Sequence, residues 1–157
     1  MNNCAVAVFT TPGIKGNVHF IDRGNYRDII LDLTGLKQNG KHGFHIHTYG
    51  DLTEGCKSAC DHFNPFNSTH GCPGMSNRHV GDLGNIQTDL FGNAKYVFSD
   101  NMISLRPGDP CCIIGRMLII HENEDDCGMG TGDARAESLI TGNAGKRIAC
   151  AVIGFSK

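Results

Sequence analysis

Histidine is the residue type that gives this sequence most of its chemistry. In the segment 43–47 the two-residue alternation of a β-strand places His45 and His47 on one face and two apolar side chains on the other. His121 ends the apolar run 117–120, where a core strand would meet solvent. Several imidazoles in a tetragonal arrangement suit Cu(II), so these three histidines are candidate copper ligands. Taken alone, each has a simpler interpretation as a polar strand face or a strand-end histidine.

A second group of metal-binding side chains follows in the next stretch of chain. It consists of three imidazoles and one carboxylate, which together make a closed tetrahedral set for Zn²⁺. Its members are His62, His70, His79 and Asp82. Two metals are therefore predicted, and the clustering argues against a surface loop with chance histidines.

A different zinc site stays open on the residues alone. Thiolates and imidazoles together also form structural zinc sites, and the same stretch of chain is rich in cysteine. The members of this alternative site would be Cys56, Cys60, His62, His70 and Cys72.

Short strands must position these side chains. Eight alternating or β-branched runs predict strands at 4–9, 17–21, 28–33, 43–47, 82–86, 94–98, 113–120 and 148–153. Turn signals such as Gln38-Asn39-Gly40 separate most of them, and helix-period windows are scarce. The class is therefore all-β. The segments 48–81 and 122–146 are too long for ordinary connections, which favours functional loops.

Composition excludes several partners. Fourteen basic and sixteen acidic residues leave a formal charge of −2, which argues against nucleic-acid binding. No run of about 18 apolar residues could span a bilayer. The start, residues 1–6, has neither the basic nor the apolar part of a secretory signal, so a soluble, cytoplasmic protein is expected. In that compartment the eight cysteines would by default be reduced thiols.

Several motifs in one order carry a resemblance that runs nearly end to end. They are 43–47, His62-Phe63-Asn64-Pro65, the segment 78–85, Gly142-Asn143-Ala144-Gly145 and the segment 149–154. Together they resemble Cu/Zn superoxide dismutase. The resemblance implies one domain over residues 1–157, folded as an eight-stranded Greek-key barrel, an immunoglobulin-like sandwich or barrel with two long functional loops. It also implies superoxide as substrate, one copper and one zinc per subunit, and a homodimer, and it admits a copper chaperone as a partner.

The resemblance also assigns roles to the candidate ligands. Copper would be held by His45, His47, His62 and His121, and zinc by His62, His70, His79 and Asp82. As an imidazolate bridge, His62 would be both a shared ligand and a catalytic proton carrier.

Other residues receive roles from the same resemblance. Arg147 would line the channel to copper and guide the anion. Asp125 would link a copper histidine to a zinc histidine, with Glu124 and Asp126 as adjacent alternatives.

The resemblance changes the expectation for two cysteines, because it pairs Cys56 with Cys150 in a disulfide. It gives no role to five others: Cys60, Cys72, Cys111, Cys112 and Cys127. The dimer contact would involve 50–52, 114–115 and 152–155, with Phe155 as its anchor.

Two other functions compete with the dismutase. One is a metal-handling module, such as the dismutase-like domain of a copper chaperone, and the other is a structural zinc protein that uses the extra cysteines. The four copper ligands and Arg147 argue against the first.

Overall fold

Eight strands and one short helix form the regular framework of residues 3–157. The computed structural model describes residues 3–157, so Met1 and Asn2, which begin the stretch read for a targeting signal, lie outside the described residues. The elements are β1 (Cys4–Phe9), β2 (Lys15–Asp22), β3 (Arg27–Thr34), β4 (Lys41–His47), β5 (Asp82–Gln87), β6 (Val97–Asp100), β7 (Met117–His121), α1 (Arg135–Thr141) and β8 (Arg147–Phe155).

All neighbouring strands pair antiparallel in one eight-stranded sheet, with the order β5-β4-β7-β8-β1-β2-β3-β6. Strand β8 pairs with both β7 and β1 and so joins the two halves of the sheet. The non-consecutive pairs β4–β7 and β3–β6 give the crossing connections of a Greek key. The predicted all-β Greek-key fold is confirmed, as a nearly closed barrel.

Alternation of side chains fills the interior of the barrel. Along β1, Ala5, Ala7 and Phe9 are buried while Val8 is exposed, as the period of a strand requires. Strand β7 differs because both of its faces are buried. Its second face, with Met117 and Ile119, packs on a small cluster built around Ala59 of the long loop.

Two predicted strands were misplaced. The run 113–120 begins as a strand only at Met117, because Gly115 has a φ of 80° and Arg116 donates to the carbonyl of Ile113 in a turn. The run 94–98 contributes only its last two residues to β6, since Ala94 instead makes an isolated bridge to Leu33. In both cases apolar residues pack on the core from outside a regular strand.

The two long loops have the predicted bounds. The segment 48–81 lies between β4 and β5 and contains a 3₁₀ turn at Lys57–Ala59. The segment 122–146 lies between β7 and β8 and contains α1, a seven-residue helix that was not predicted. Across residues 3–157, no helix is long and apolar enough to cross a membrane.

Candidate metal centre

The copper side of the site, defined as His45, His47, His62 and His121, lies where the sheet meets the two loops. Strand β4 carries His45 and His47, β7 ends at His121, and His62 comes from the loop 48–81 through an isolated bridge to His47. All four side chains are buried. One ligand atom from each lies within 4.8 Å of those of the other three.

Hydrogen bonds fix which nitrogen of each strand histidine faces the others. In each case one ring nitrogen has an oxygen partner, which leaves the second nitrogen with its lone pair. The bonds join His45 Nε2 to Asp125 Oδ2 at 2.5 Å, His47 Nδ1 to the carbonyl of Cys60 at 2.7 Å, and His121 Nδ1 to the carbonyl of Gly145 at 3.1 Å.

The remaining nitrogens converge without satisfying one another. His47 Nε2 and His121 Nε2 lie 3.3 Å apart, and both have used their protons elsewhere. His45 Nδ1 and His62 Nε2 are buried and have no hydrogen-bond partner. Buried polar atoms normally have partners, so two unpaired nitrogens beside two more that have no proton to share fit a metal ion.

Burial keeps these imidazoles in the neutral form that binds metals. Desolvation lowers the pKa of His45 and of His121 to about 4, and together with the charge of His45 it lowers the pKa of His62 to about 3. It also lowers the pKa of His47 well below its usual value. The protons of these rings therefore do not compete with a metal near neutral pH.

The zinc side, defined as His62, His70, His79 and Asp82, converges on one carboxylate oxygen. Asp82 Oδ1 lies 2.9 Å from His62 Nδ1, 3.0 Å from His70 Nδ1 and 3.2 Å from His79 Nδ1. The Nδ1 atoms of His62 and His79 are 3.2 Å apart. Tetrahedral zinc with ligands at 2.0–2.1 Å would space its donors by about 3.3 Å, so these separations fit zinc.

Asp82, the first residue of β5, is oriented by the backbone of the loop 48–81. Its second oxygen, Oδ2, accepts the N–H groups of Gly71 (3.0 Å) and His79 (2.8 Å). Burial opposes its ionisation, but the three histidine rings around the carboxylate hold the pKa of Asp82 well below its usual range. The zinc side therefore contains a fixed negative charge, unlike the copper side.

Asp125 connects the two sides. Its Oδ2 lies 2.5 Å from His45 Nε2, and its Oδ1 lies 2.8 Å from His70 Nε2. Burial opposes its ionisation, yet these two bonds lower the pKa of Asp125 to about 2. Burial likewise opposes the charge on His70, but Asp125 and Asp82 raise the pKa of His70 to about 9. Of the three acidic neighbours considered from the sequence, Asp125 is the one placed between the two sides.

Arg147 lies at the mouth of the copper side. An open pocket of about 300 Å³ reaches His47, His62 and His121, and Arg147 lines it together with Glu137. Its guanidinium also donates to the carbonyls of Cys56 (2.8 Å) and Cys60 (2.6 Å). Arg147 therefore both faces the pocket and braces the loop 48–81.

The cysteines separate into two disulfides and four free thiols. The pairing of Cys56 with Cys150 is present, and a second disulfide joins Cys72 to Cys127. The alternative thiolate zinc site is not assembled, because Cys56 and Cys72 are each bonded elsewhere and Cys60 is exposed. The default expectation of eight reduced thiols is therefore wrong for the four disulfide-bonded cysteines.

Sequence reasoning missed the second disulfide and the carbonyl of Cys60. A signal for the disulfide was available, since each long loop has an additional cysteine two residues beyond a predicted site residue, His70 or Asp125. No sequence signal identifies a backbone carbonyl as the partner of a ligand ring.

Two further histidines, His42 and His19, lie outside both sets of candidate ligands. His42 is buried, and its Nδ1 lies 2.7 Å from the carbonyl of His121. His19 lies on β2, paired with Val6 and Ile30 of the neighbouring strands.

Known proteins with these features were found by sequence and by structure. The family described as copper/zinc superoxide dismutase (SODC) matches residues 14–153. A superoxide dismutase [Cu-Zn] of Paramecium bursaria Chlorella virus 1 is 56% identical over 98% of this chain and 79% of its own. The corresponding protein of Schizosaccharomyces pombe is 50% identical over 91% of both chains. An extracellular superoxide dismutase [Cu-Zn] of Brugia pahangi is 49% identical over 91% of this chain and 70% of its own.

One solved structure is similar over almost the whole chain. The crystal structure of the clock protein EA4 superposes with a TM-score of 0.92 at 42% identity, covering 99% of this chain and 96% of that one.

Proposed function

The chain belongs to the copper/zinc superoxide dismutase family, and we propose that it converts superoxide into dioxygen and hydrogen peroxide with copper and zinc as cofactors. The observation that carries this proposal is the shared position of His62. Its Nδ1 faces the zinc side, 2.9 Å from Asp82, while its Nε2 is buried on the copper side without a partner. The imidazole of His62 thus presents one ring nitrogen to the copper-side ligands and the other to the zinc-side ligands.

The proposed ligands follow the two sets. Copper would be held by His45, His47, His62 and His121, and zinc by His62, His70, His79 and Asp82, with one ion of each per chain. When bound, copper would supply one-electron chemistry toward superoxide in both directions, whereas zinc, which has no second oxidation state, would have a structural role in the loop.

The chain's own residues then supply orientation and protons. His62 is the proposed proton carrier, since its Nε2 can take up a proton in one half of the cycle and release it to peroxide in the other. Asp125 positions the rings of His45 and His70 through its two oxygens. Arg147 attracts and orients the substrate anion in the pocket, because its guanidinium stays charged and offers paired donors.

The quaternary structure is proposed to be a twofold dimer. The surface formed by residues 50–52, 114–115 and 152–155 exposes Leu52 and Phe155, and a self-complementary apolar patch suits a twofold contact. Light scattering should give twice the chain mass of 16.9 kDa, and Phe155→Ala should shift the mass toward one chain. A native mass of one chain would refute the dimer.

The remaining proposals concern organisation and setting. We propose one domain over residues 1–157 that works in the cytoplasm, with loading by a copper chaperone. The relatives include forms named without a compartment and an extracellular form, so the cytoplasmic setting is proposed for direct test. Imaging of the tagged protein in the cells that make it tests the cytoplasmic setting. Copper occupancy measured in cells with and without the chaperone tests the loading.

Metal analysis combined with a superoxide assay tests the function. The protein loaded with both metals should contain near-equal copper and zinc and turn over superoxide strongly. A protein that binds zinc alone and lacks turnover would be a structural zinc protein, and one that binds copper without turnover would be a metal-handling module.

A further inference from the structure

The disulfide between Cys72 and Cys127 joins the two long loops to each other rather than to the barrel. Cys72 lies in the loop 48–81 and Cys127 in the loop 122–146, and the Cα atoms are 5.0 Å apart. Each cysteine comes two residues after a side chain of the metal centre, His70 for the first and Asp125 for the second. The other disulfide differs, because it ties Cys56 to strand β8.

The disulfide lies directly beside the ion pair that holds His70. Sulfur atoms of both cysteines and a carboxylate oxygen of Asp125 lie within 4.8 Å of one another. Asp125 Oδ1 accepts from the backbone N–H of Cys127 at 2.7 Å and pairs with His70 Nε2 at 2.8 Å. The backbone of Cys127 therefore helps to orient the carboxylate of Asp125, and that carboxylate in turn orients the ring of His70.

Close packing also joins the two long loops on both sides of the ion pair between His70 and Asp125. A Cβ on Gly128 would lie 2.6 Å from the carbonyl oxygen of His70. A Cβ on Gly142 would lie 2.1 Å from Asp125 Oδ1 and 2.5 Å from His70 Nε2. The backbone N–H of His70 also donates to the carbonyl of Leu139 at 2.8 Å. The contacts of Gly128, Gly142 and Leu139 with His70 cross from one loop to the other and require the two loops to stay together.

His70 has no strand to hold it. It lies in an irregular part of the loop 48–81, and its position depends on contacts with a second irregular loop. A covalent bond between the loops reduces the arrangements that the metal-free chain can adopt and so lowers the entropy lost when the ligands converge.

We propose that Cys72 and Cys127 are positioning residues for the zinc side, and that their disulfide and zinc binding strengthen each other. This inference rests on the zinc ligands proposed above. Because the coupling is an equilibrium property, zinc must favour the disulfide by the same factor by which the disulfide favours zinc.

The redox step is an exchange with a low-molecular-weight disulfide. Glutathione disulfide oxidises the two thiols, the Cys72–Cys127 bond forms, and two glutathione thiols leave with the two electrons and two protons. Glutathione mixtures of defined ratio therefore set the state of this pair.

The first measurement is the zinc affinity of the full-length protein by competition with a chromophoric chelator. The pair Cys72→Ser/Cys127→Ser should bind zinc about 10-fold more weakly than the native protein, within the usual range of coupling between two sites. The variant Cys112→Ser, which removes a free thiol outside both long loops, should bind zinc like the native protein. Cys72→Ala/Cys127→Ala repeats the test without a polar group, and circular dichroism checks that each variant keeps the barrel.

The second measurement uses the native chain. Alkylation and peptide mass spectrometry give the oxidised fraction of the Cys72–Cys127 pair across glutathione ratios, with and without zinc. Zinc should shift the equilibrium toward the disulfide by about 10-fold, the same factor as that expected for zinc affinity. A merely structural disulfide would show no shift.

The outcomes separate the two proposals. Equal zinc affinity in the native protein and both pair variants, or a zinc-independent oxidised fraction, would overturn the coupling and leave the proposed function intact. A shift toward the reduced pair would overturn it too, because it would show zinc bound by the thiolates. Failure of the native protein to bind zinc would overturn the proposed function together with the coupling.

Discussion

The copper side and the zinc side lie against each other but are built from different kinds of structure. On the copper side the register of paired strands sets three of the four ligands, since His45 and His47 lie on β4 opposite Ile119 and Met117 of β7, and His121 ends β7. On the zinc side three ligands lie in the loop 48–81, and only Asp82 belongs to a strand. A sheet resists local change, whereas a loop opens at little cost. The three strand ligands of the copper side should therefore keep their places through changes that disorder the zinc side.

The largest effect is expected from His121→Ala. It removes a ligand of the copper side alone, and its Nε2 lies 3.3 Å from that of His47. Superoxide turnover should fall by more than about 100-fold. This exceeds the loss of activity that is usual when a residue hydrogen-bonded to a metal ligand, rather than the ligand itself, is removed.

Zinc content and strand structure should persist in this variant, because the polar contacts that the His121 ring makes within residues 3–157 are with His47 and the carbonyl of Gly145, and none is with a zinc-side ligand. Metal analysis and circular dichroism check both. Most of the activity remaining in a copper-loaded sample would remove His121 from the ligand set.

The next effect is expected from Asp82→Asn, which removes the charge that faces three imidazoles while keeping the shape of the side chain. Zinc affinity should fall by at least about 10-fold, as for other losses at metal sites. Amide hydrogen exchange should quicken within residues 62–81 and stay unchanged in β4 and β7. Equal quickening in the strands would contradict the difference between the two sides.

Much of this contrast could be predicted from the residues. Alternation in β4 placed His45 and His47 on one face, and the bounds 48–81 and 122–146 followed from the loss of strand periodicity. The contacts inside the loops could not be predicted, because they depend on tertiary approach. The carbonyl of Cys60 becomes a partner of His47 only in the folded chain, and α1 is too short to show a helical period. For the Cys72–Cys127 pair the positions beside His70 and Asp125 mark two candidate cysteines, but connectivity does not follow from cysteine positions alone.

A smaller effect is expected at Arg147, where the loop and the copper side meet. Arg147→Ile should lower turnover by about 10-fold, the scale of electrostatic steering, and flatten its dependence on ionic strength. Copper and zinc content should stay the same.

Arg147→Lys is the matched control, because it keeps the charge but not the paired donors. It should keep the salt dependence while losing part of the rate. Parallel salt curves for the native and Ile forms would limit Arg147 to its bonds with the carbonyls of Cys56 and Cys60.

The smallest effect is expected from Cys60→Gly. Cys60 has φ 59° and ψ −141°, a combination that is easy only for glycine. Its carbonyl faces both His47 Nδ1 and Arg147 Nη2, so the strained backbone supports the copper side from the loop. Glycine should raise the free energy of unfolding by about 1 kcal/mol, less than the full strain because glycine also loses more entropy on folding.

Denaturant unfolding measures this gain, and Cys60→Ala should not show it, since alanine keeps the Cβ. A gain of equal size in the alanine variant would assign the effect to removal of the thiol rather than to the backbone.

Anomalous diffraction from crystals of the copper- and zinc-loaded protein, recorded at both absorption edges, tests the two-sided centre most directly. The account predicts a copper peak among His45, His47 and His121, a zinc peak among His70, His79 and Asp82, and the ring of His62 between the peaks. A single peak, or zinc bound to cysteine sulfur away from Asp82, would contradict it.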